Sequence, residues 1–298
     1  MCGLVGLHLR DESLHPRLGE FLTPMLTAMS SRGPDSAGIT IFDADTAAGT
    51  TKWSLRAPYP RYDWRDVSER LETQLAVDVE TRLIADDAVL VVDWEPALVA
   101  KALAEWAPEV GIVSYGSAVE VFKDVGHPAE ICDRYGIANR SGYQGVGHTR
   151  MATESAVTTE HSHPFAAGSD LCLVHNGSFS NYATVRRRLA EAGLSFDTDN
   201  DSEVGARYLA QEISDGADLR TALERMMGAL DGFYTLLVAT EQEFAVVRDA
   251  FACKPAVIAE TKDYVAMCSE YQGLATLPGI DDADVFEPRP GEIHVWSR

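Results

Sequence analysis

No uninterrupted apolar stretch in the 298 residues approaches the ~20 that a membrane-spanning helix requires. The opening, Met1-Cys2-Gly3-Leu4, has no basic region leading into an apolar run and a cleavage site, so no secretory leader is expected. Cysteine is scarce: Cys2, Cys132, Cys172, Cys253 and Cys268 are odd in number, scattered, and form no C-x-x-C pair. That argues against a disulfide framework and against a cysteine-based zinc site, and it suits a reducing cytosol. Basic residues are also few, 25 Lys and Arg against 46 Asp and Glu, for a formal net charge of -21. A field of that sign repels phosphate backbones and anionic headgroups, which sets nucleic-acid and membrane-surface roles aside. No G-x-x-x-x-G-K-[ST] loop and no sign of a flavin or nucleotide site is present, so no cofactor and no metal are expected. What remains is ordinary for a globular chain: 46% hydrophobic and 24% charged residues, long enough for one large domain or two small ones. A cytoplasmic location is the expectation.

Hydrophobic periodicity lays out the elements. A strand is expected over Gly3 to Leu9. A helix is expected over Pro16 to Ser30, where Leu18, Phe21, Leu22, Met25, Leu26 and Met29 recur at spacings of three and four. The turn-rich Ser31-Arg32-Gly33-Pro34-Asp35-Ser36 leads to a strand near Ile39 to Phe42. Between about Thr51 and Arg140 the texture changes to strand (Val89 to Val92), helix (Glu95 to Trp106) and strand (Gly111 to Tyr115), which reads as an α/β insert. Strand runs return at Cys172 to Val174, Thr235 to Ala239, Ala245 to Val247, Ala256 to Ala259 and Val265 to Met267. Helices are expected near Tyr182 to Ala192, Ser202 to Ile213 and Leu219 to Leu230.

Three features carry chemistry. Removal of Met1 would start the chain at Cys2, placing a thiol nucleophile and an α-amine base on one residue. A cysteine in second position can also be accidental. His175-Asn176-Gly177 closes an apolar run and could aim an Asn amide and a Gly N–H at one oxyanion, although Asn-Gly is equally a favoured turn dipeptide. A free amino acid needs a cation for its carboxylate and an anion for its ammonium. Arg150, at the end of Gly147-His148-Thr149-Arg150, suits the first, and Asp199-Asn200-Asp201-Ser202-Glu203, just before a helix, offers the second. Asp201 or Ser202 could instead be a helix N-cap.

Taken in order, these segments resemble the class II glutamine amidotransferases, whose glutaminase domain is an N-terminal nucleophile hydrolase. The resemblance covers Cys2-Gly3-Leu4-Val5-Gly6, Arg32-Gly33-Pro34-Asp35-Ser36-Ala37-Gly38, Gly147-His148-Thr149-Arg150-Met151-Ala152-Thr153, His163-Pro164-Phe165, His175-Asn176-Gly177, Asp201-Ser202-Glu203 and Arg248-Asp249. It implies an α+β fold, a four-layer αββα sandwich with an α/β insertion. The amidotransferase domain would span residues 2–298, with the insertion at 51–140. It further implies Cys2 as nucleophile with its own α-amine as base, and Asn176 and Gly177 as the oxyanion hole. Arg150 would hold the α-carboxylate of L-glutamine and Asp201 its α-ammonium, with Thr153 close to the substrate and Arg32 in the loop shaping the nucleophile's surroundings. His163 would be supporting, while His148 and His175 read as core histidines of the strands. Met151 stands where many members have an aromatic residue, and Glu154 where a histidine often follows the Thr. Both departures bear on coupling to the acceptor site rather than on hydrolysis.

The stretches Arg150 to Ser155, Asn200 to Glu203 and Asp249 to Pro255, with Phe122 to Gly126 in the insert, resemble a stand-alone subgroup. These are glutamate-synthase-related amidotransferase chains, typified by the one in N-methylglutamate synthase (methylamine–glutamate N-methyltransferase). The implied partners are separate glutamate-synthase-like subunits, one of them FMN-dependent. Two other readings stand beside this one: another N-terminal nucleophile amidase, which would not need both Arg150 and Asp201, or a non-catalytic structural or regulatory subunit.

Overall fold

Side-chain alternation sorts the first strand between two environments. Along β1 (Gly3–Leu9) Leu4 faces one way, while Val5, Leu7 and Leu9 face the other. The computed structural model describes residues 2–151 and 157–298. After β1 come a 3-10 turn (Glu12–Arg17), α1 (Leu18–Ala28) and β2 (Ser36–Phe42). A module follows: β3 (Thr51–Arg56), α2 (Trp64–Leu75), β4 (Val79–Ile84), β5 (Asp87–Val92), α3 (Pro96–Trp106) and β6 (Gly111–Gly116). Next are β7 (Val119–Val125), α4 (Pro128–Arg134), β8 (Gln144–Arg150), β9 (Phe165–Ala166) and β10 (Leu171–Phe179). Three helices, α5 (Tyr182–Glu191), α6 (Asp201–Ser214) and α7 (Leu219–Ala229), precede β11 (Gly232–Thr240) and β12 (Glu243–Arg248). The chain closes with β13 (Val257–Glu260), β14 (Tyr264–Cys268), α8 (Tyr271–Leu274), β15 (Asp284–Phe286) and β16 (Ile293–Ser297).

Among the described residues the strands form three sheets. One has seven strands in the order β15-β13-β14-β1-β8-β2-β7, one has five in the order β16-β12-β11-β10-β9, and a smaller one runs β4-β5-β3-β6. The two larger sheets face each other across a core that includes Leu4, Val146, Val174, Leu237, Phe244 and Met267. The outer face of the seven-stranded sheet buries Val5, Leu7 and Ile39 against Leu22, Met25 and Leu26 of α1. The outer face of the five-stranded sheet buries Leu173, Leu236 and Val238 against Val204, Leu209, Leu223 and Met226 of α6 and α7. Helix, sheet, sheet, helix: this is the αββα layering, and the fold class is α+β.

The small sheet is a separate packing unit. Trp53, Leu55, Leu90 and Val92 bury one face against Val67 and Leu71 of α2 and Val99, Ala102 and Leu103 of α3. At its junction with the main body, the Val121 N–H donates to Ser54 Oγ at 3.1 Å, and buried Lys52 pairs with Asp45 and with Glu120. This sheet and its helices occupy Thr51 to Gly116. Beyond them β7 is an edge strand of the seven-stranded sheet, and Ile131, Cys132 and Ile137 join the cluster around α1. The helix expected from Pro16 begins instead at Leu18. The Asp11 side chain accepts from the Ser13 N–H and starts a 3-10 turn, within which Pro16 has no N–H to give.

Candidate active site

Parity along three strands sends three side chains toward one end of the gap between the large sheets. Cys2 is in phase with Leu4, Arg150 with Val146, and Asn176 with Val174, and all three reference residues line the inner core. The β1–β8 register pairs Gly3 with Thr149, which sets Cys2 beside Arg150 at the strand end. Asn176 comes from the opposite sheet, and its Nδ2 donates to the Cys2 carbonyl oxygen at 3.3 Å. The same oxygen accepts from Arg32 Nε at 2.9 Å, and Arg32 Nη1 continues to Glu270 Oε1 at 2.6 Å. Two residues on, Leu4 exchanges hydrogen bonds with Ser269: its N–H to the hydroxyl, and its carbonyl from the Ser269 N–H. The start of the chain is therefore pinned from three directions.

The loop that carries Arg32 lies against the end of β8. A Cβ on Gly33 would fall on the Arg150 backbone, and the Asp35 N–H donates to the Arg150 carbonyl at 3.1 Å. Arg32 is held within this close approach, its side chain only 9% exposed.

Asn176 and Gly177 do not form a turn. They sit inside β10, paired with Thr235 and Tyr234 of β11, because the ladder runs on to Phe179. Gly177 has φ of 148, and a Cβ there would run into the Phe233 carbonyl oxygen, so glycine is required. The helix cap is likewise neither Asp201 nor Ser202. Asn200 Oδ1 accepts the Ser202 N–H at 2.9 Å, which makes Asp201 the first residue of α6 and leaves its carboxylate for other partners. Asp201 Oδ2 accepts from the Phe179 N–H at the end of β10 (2.9 Å), and Oδ1 lies 3.2 Å from Ser202 Oγ. Glu203 is buried and anchors the preceding loop, accepting from the backbone N–H groups of Asp197 and Thr198, the Thr198 hydroxyl and Arg207.

Burial pushes the Cys2 thiol above its ordinary range; a Met151 N–H and the charges of Arg150 and Lys254 oppose that shift without reversing it. Three buried histidines lie behind the site. His148 is pushed down to about 3 by burial, with smaller contributions from neighbouring His175 and Arg150, against a hydrogen bond to the His175 carbonyl. His163 is held well below its ordinary value by burial and by His148, His175, Lys123 and Arg150, and burial likewise lowers His175. The His148 and His163 rings stack with centroids 4.0 Å apart.

Of the residues singled out from the sequence, Cys2, Arg32 and Asn176 are joined by direct hydrogen bonds, with Arg150 next to them in register. Gly177 follows Asn176 in β10. Asp201 is attached to the same strand through Phe179, three residues past Asn176. Thr153 lies outside the described residues. Sequence reasoning missed Lys254, Ser269 and Glu270. Lys254 falls in the Asp249 to Pro255 stretch but had no assigned chemistry, and the other two follow a plain apolar strand with no motif to mark them. Among the described residues no group of three His, Cys, Asp or Glu side chains is placed to hold a metal ion.

The model of the glutamine amidotransferase domain matches residues 148–276. The chain is 45% identical to the glutamine amidotransferase-like protein GlxB of Rhizobium meliloti, over 100% of this chain and 98% of that protein. It is 29% identical to the amidophosphoribosyltransferase of Methanocaldococcus jannaschii over 188 residues, covering 60% of this chain but only 40% of that one. Among solved structures, the glutamine phosphoribosylpyrophosphate amidotransferase of B. subtilis superimposes with a TM-score of 0.63 at 19% identity, over 99% of this chain and 47% of its own, a likeness of fold. With the αββα layers and the inner-face convergence of Cys2, Arg150 and Asn176, these matches establish that the chain belongs to the class II glutamine amidotransferase family, with the N-terminal nucleophile hydrolase fold.

Proposed function

We propose that this chain is a glutaminase subunit that hydrolyses L-glutamine to glutamate and ammonia at Cys2 and delivers the ammonia to a separate glutamate-synthase-like partner of the N-methylglutamate synthase type. The observation that carries the reading is the Cys2 carbonyl, gripped by Arg32 and Asn176 from two different layers. Those contacts hold Cys2 next to the Asn176 amide, which in this reading shares one oxyanion with the N–H of the adjacent Gly177.

In this mechanism Met1 is removed, and the freed α-amine takes the Cys2 thiol proton. A base is needed because burial keeps the thiol protonated. The sulfur attacks the side-chain amide carbon. The oxyanion is met by Asn176 Nδ2 and the Gly177 N–H, and loss of one such donor costs ~10²–10³ in rate. The α-ammonium returns its proton to the departing nitrogen as the carbon–nitrogen bond breaks, and water then cleaves the γ-glutamyl thioester. Arg150 binds the α-carboxylate and Asp201 the α-ammonium, with Thr153 beside the substrate. The likeness in the segments around Arg150, Asn200 and Asp249 supports the partner assignment. Residues 2–298 act in this reading as one amidotransferase domain. The inserted sheet and helices of Thr51 to Gly116 face the partner in this reading, in keeping with the exposed Leu83, Leu98 and Ile112.

The test is release of glutamate and ammonia from L-glutamine by the purified chain, with and without coexpressed partner subunits. Diazo-oxo-norleucine should add to Cys2, seen by peptide mass, and Cys2→Ala should abolish both labelling and turnover. Turnover that survives Cys2→Ala rejects the nucleophile, and an unlabelled, inert wild type favours the non-catalytic subunit.

A further inference from the structure

We propose that Ser202 and His175 are positioning residues that aim Asp201 at the substrate ammonium through a hydrogen-bond chain of one fixed direction; the proposal rests on the assignment of Asp201 to that ammonium. The direction follows from donor arithmetic. Ser202 Oγ lies 3.2 Å from Asp201 Oδ1, and an ionised carboxylate only accepts, so the single hydroxyl proton goes to Asp201. Ser202 Oγ then has only lone pairs to offer His175 Nδ1, 2.8 Å away, so that nitrogen must carry a hydrogen. The chain runs His175 Nδ1–H to Ser202 Oγ–H to Asp201 Oδ1. Asp201 Oδ2 is fixed separately by the Phe179 N–H at 2.9 Å. Two donors therefore set the plane of the carboxylate, while 21% of its side chain stays open to a ligand.

The chain extends to the other sheet. His148 Nε2 lies 3.1 Å from the His175 carbonyl, which can only accept, so His148 donates across the gap between the sheets. His148 stands two residues before Arg150, His175 one before Asn176, and Ser202 one after Asp201. Three hydrogen-bonded side chains thus tie together β8, β10 and α6, the elements that bear the two charged grips and the amide donor. All three are buried, with exposures of 0%, 3% and 1%. Neither imidazole need change protonation for this; each acts as a spacer with a fixed tautomer.

A merely structural Ser202 would weaken all ligands alike, whereas an aiming role is specific to the ammonium. The probes are L-glutamate and glutarate, the same skeleton without the α-ammonium, with binding to the full mature chain measured by calorimetry. In wild type L-glutamate should bind more tightly. Ser202→Ala should reduce that preference about tenfold, and Ser202→Thr, which keeps the hydroxyl, should restore it. If Asp201→Asn removes the preference but Ser202→Ala leaves it intact, or weakens both ligands equally, the positioning role is overturned while the Asp201 assignment stands. If Asp201→Asn leaves the preference unchanged, the assignment fails and the proposal falls with it. Nitrogen-15 shifts of His175 give a second, ligand-independent reading: an Nε2–H tautomer would reverse the chain and overturn it.

Discussion

Cys2 is held less by its own chemistry than by its carbonyl. Arg32 reaches that oxygen with Nε and spends another nitrogen on Glu270, whose second oxygen accepts from Gln272 at 2.8 Å. Glu270 thus orients the guanidinium from outside the reacting atoms, with 38% of its side chain exposed. Hydrogen bonds to charged groups contribute ~1.5–3 kcal/mol, and the low end applies where solvent screens the pair. Glu270→Gln is expected to lower glutaminase kcat about tenfold and to leave the KM for glutamine nearly unchanged, because Arg150 and Asp201, the residues proposed to bind glutamine, are untouched. Steady-state assays of ammonia release check this. A change in KM alone would place Glu270 in substrate binding instead.

At the scale of the element, the start of α6 shows two acidic or amide residues doing different work. Asn200 caps the helix with one hydrogen bond to the Ser202 N–H, an interaction typically worth ~1 kcal/mol. Glu203, one turn in, is buried. Burial opposes its ionisation, but two backbone N–H groups, a hydroxyl and Arg207 outweigh that and lower its pKa. In Glu203→Gln one oxygen becomes an NH₂ that faces donors, which leaves buried N–H groups unpaired at a cost of about 3 kcal/mol. Thermal melts should show a small drop for Asn200→Ala and one at least twice as large for Glu203→Gln. Equal drops would mean that the 197–200 loop is held by other contacts.

For the molecule as a whole, the buried histidines predict an acid-sensitive fold. His148, His163 and His175 are neutral when folded, with His148 pushed down to about 3, whereas an unfolded histidine takes up a proton near pH 6.5. A group whose folded pKa is depressed in this way contributes stability that is complete above the unfolded value. That stability is lost as pH falls below it, for His148 by ~1.4 kcal/mol per pH unit down to about pH 3, with His163 and His175 adding to the same trend. Urea-unfolding free energies should therefore fall steeply between pH 6 and pH 4.5. His163→Phe, which keeps a ring against His148 and Phe165, should flatten that slope by about one proton. An unchanged slope would show that His163 takes up its proton in the folded state.

Local pattern made much of this protein legible. The apolar runs that became β1, β10, β11 and β14, and the three- and four-residue spacings of α1 and α6, follow from periods that a short segment carries by itself. Motif order singled out Cys2, Arg32, Arg150 and Asn176, which hydrogen bonds and register bring together, and Asp201, which is fixed to the end of the strand that carries Asn176. The strands β3 and β4 and the helix α2 were not: the charge of Trp64–Leu75 masks the three- and four-residue spacing of Trp64, Val67, Leu71 and Leu75, and Val79–Ile84 is a half-exposed edge strand without clean alternation. Tertiary structure alone decided that Asn176 and Gly177 lie within a ladder rather than a turn, that Asn200 takes the cap, and that Glu270 stands behind Arg32. It also decided the direction of the hydrogen bonds that end on Asp201. Amino-acid order sets propensity and parity over a few residues. Which oxygen a side chain meets 30 or 174 positions away depends on how two sheets pair and stack, and no local stretch encodes that.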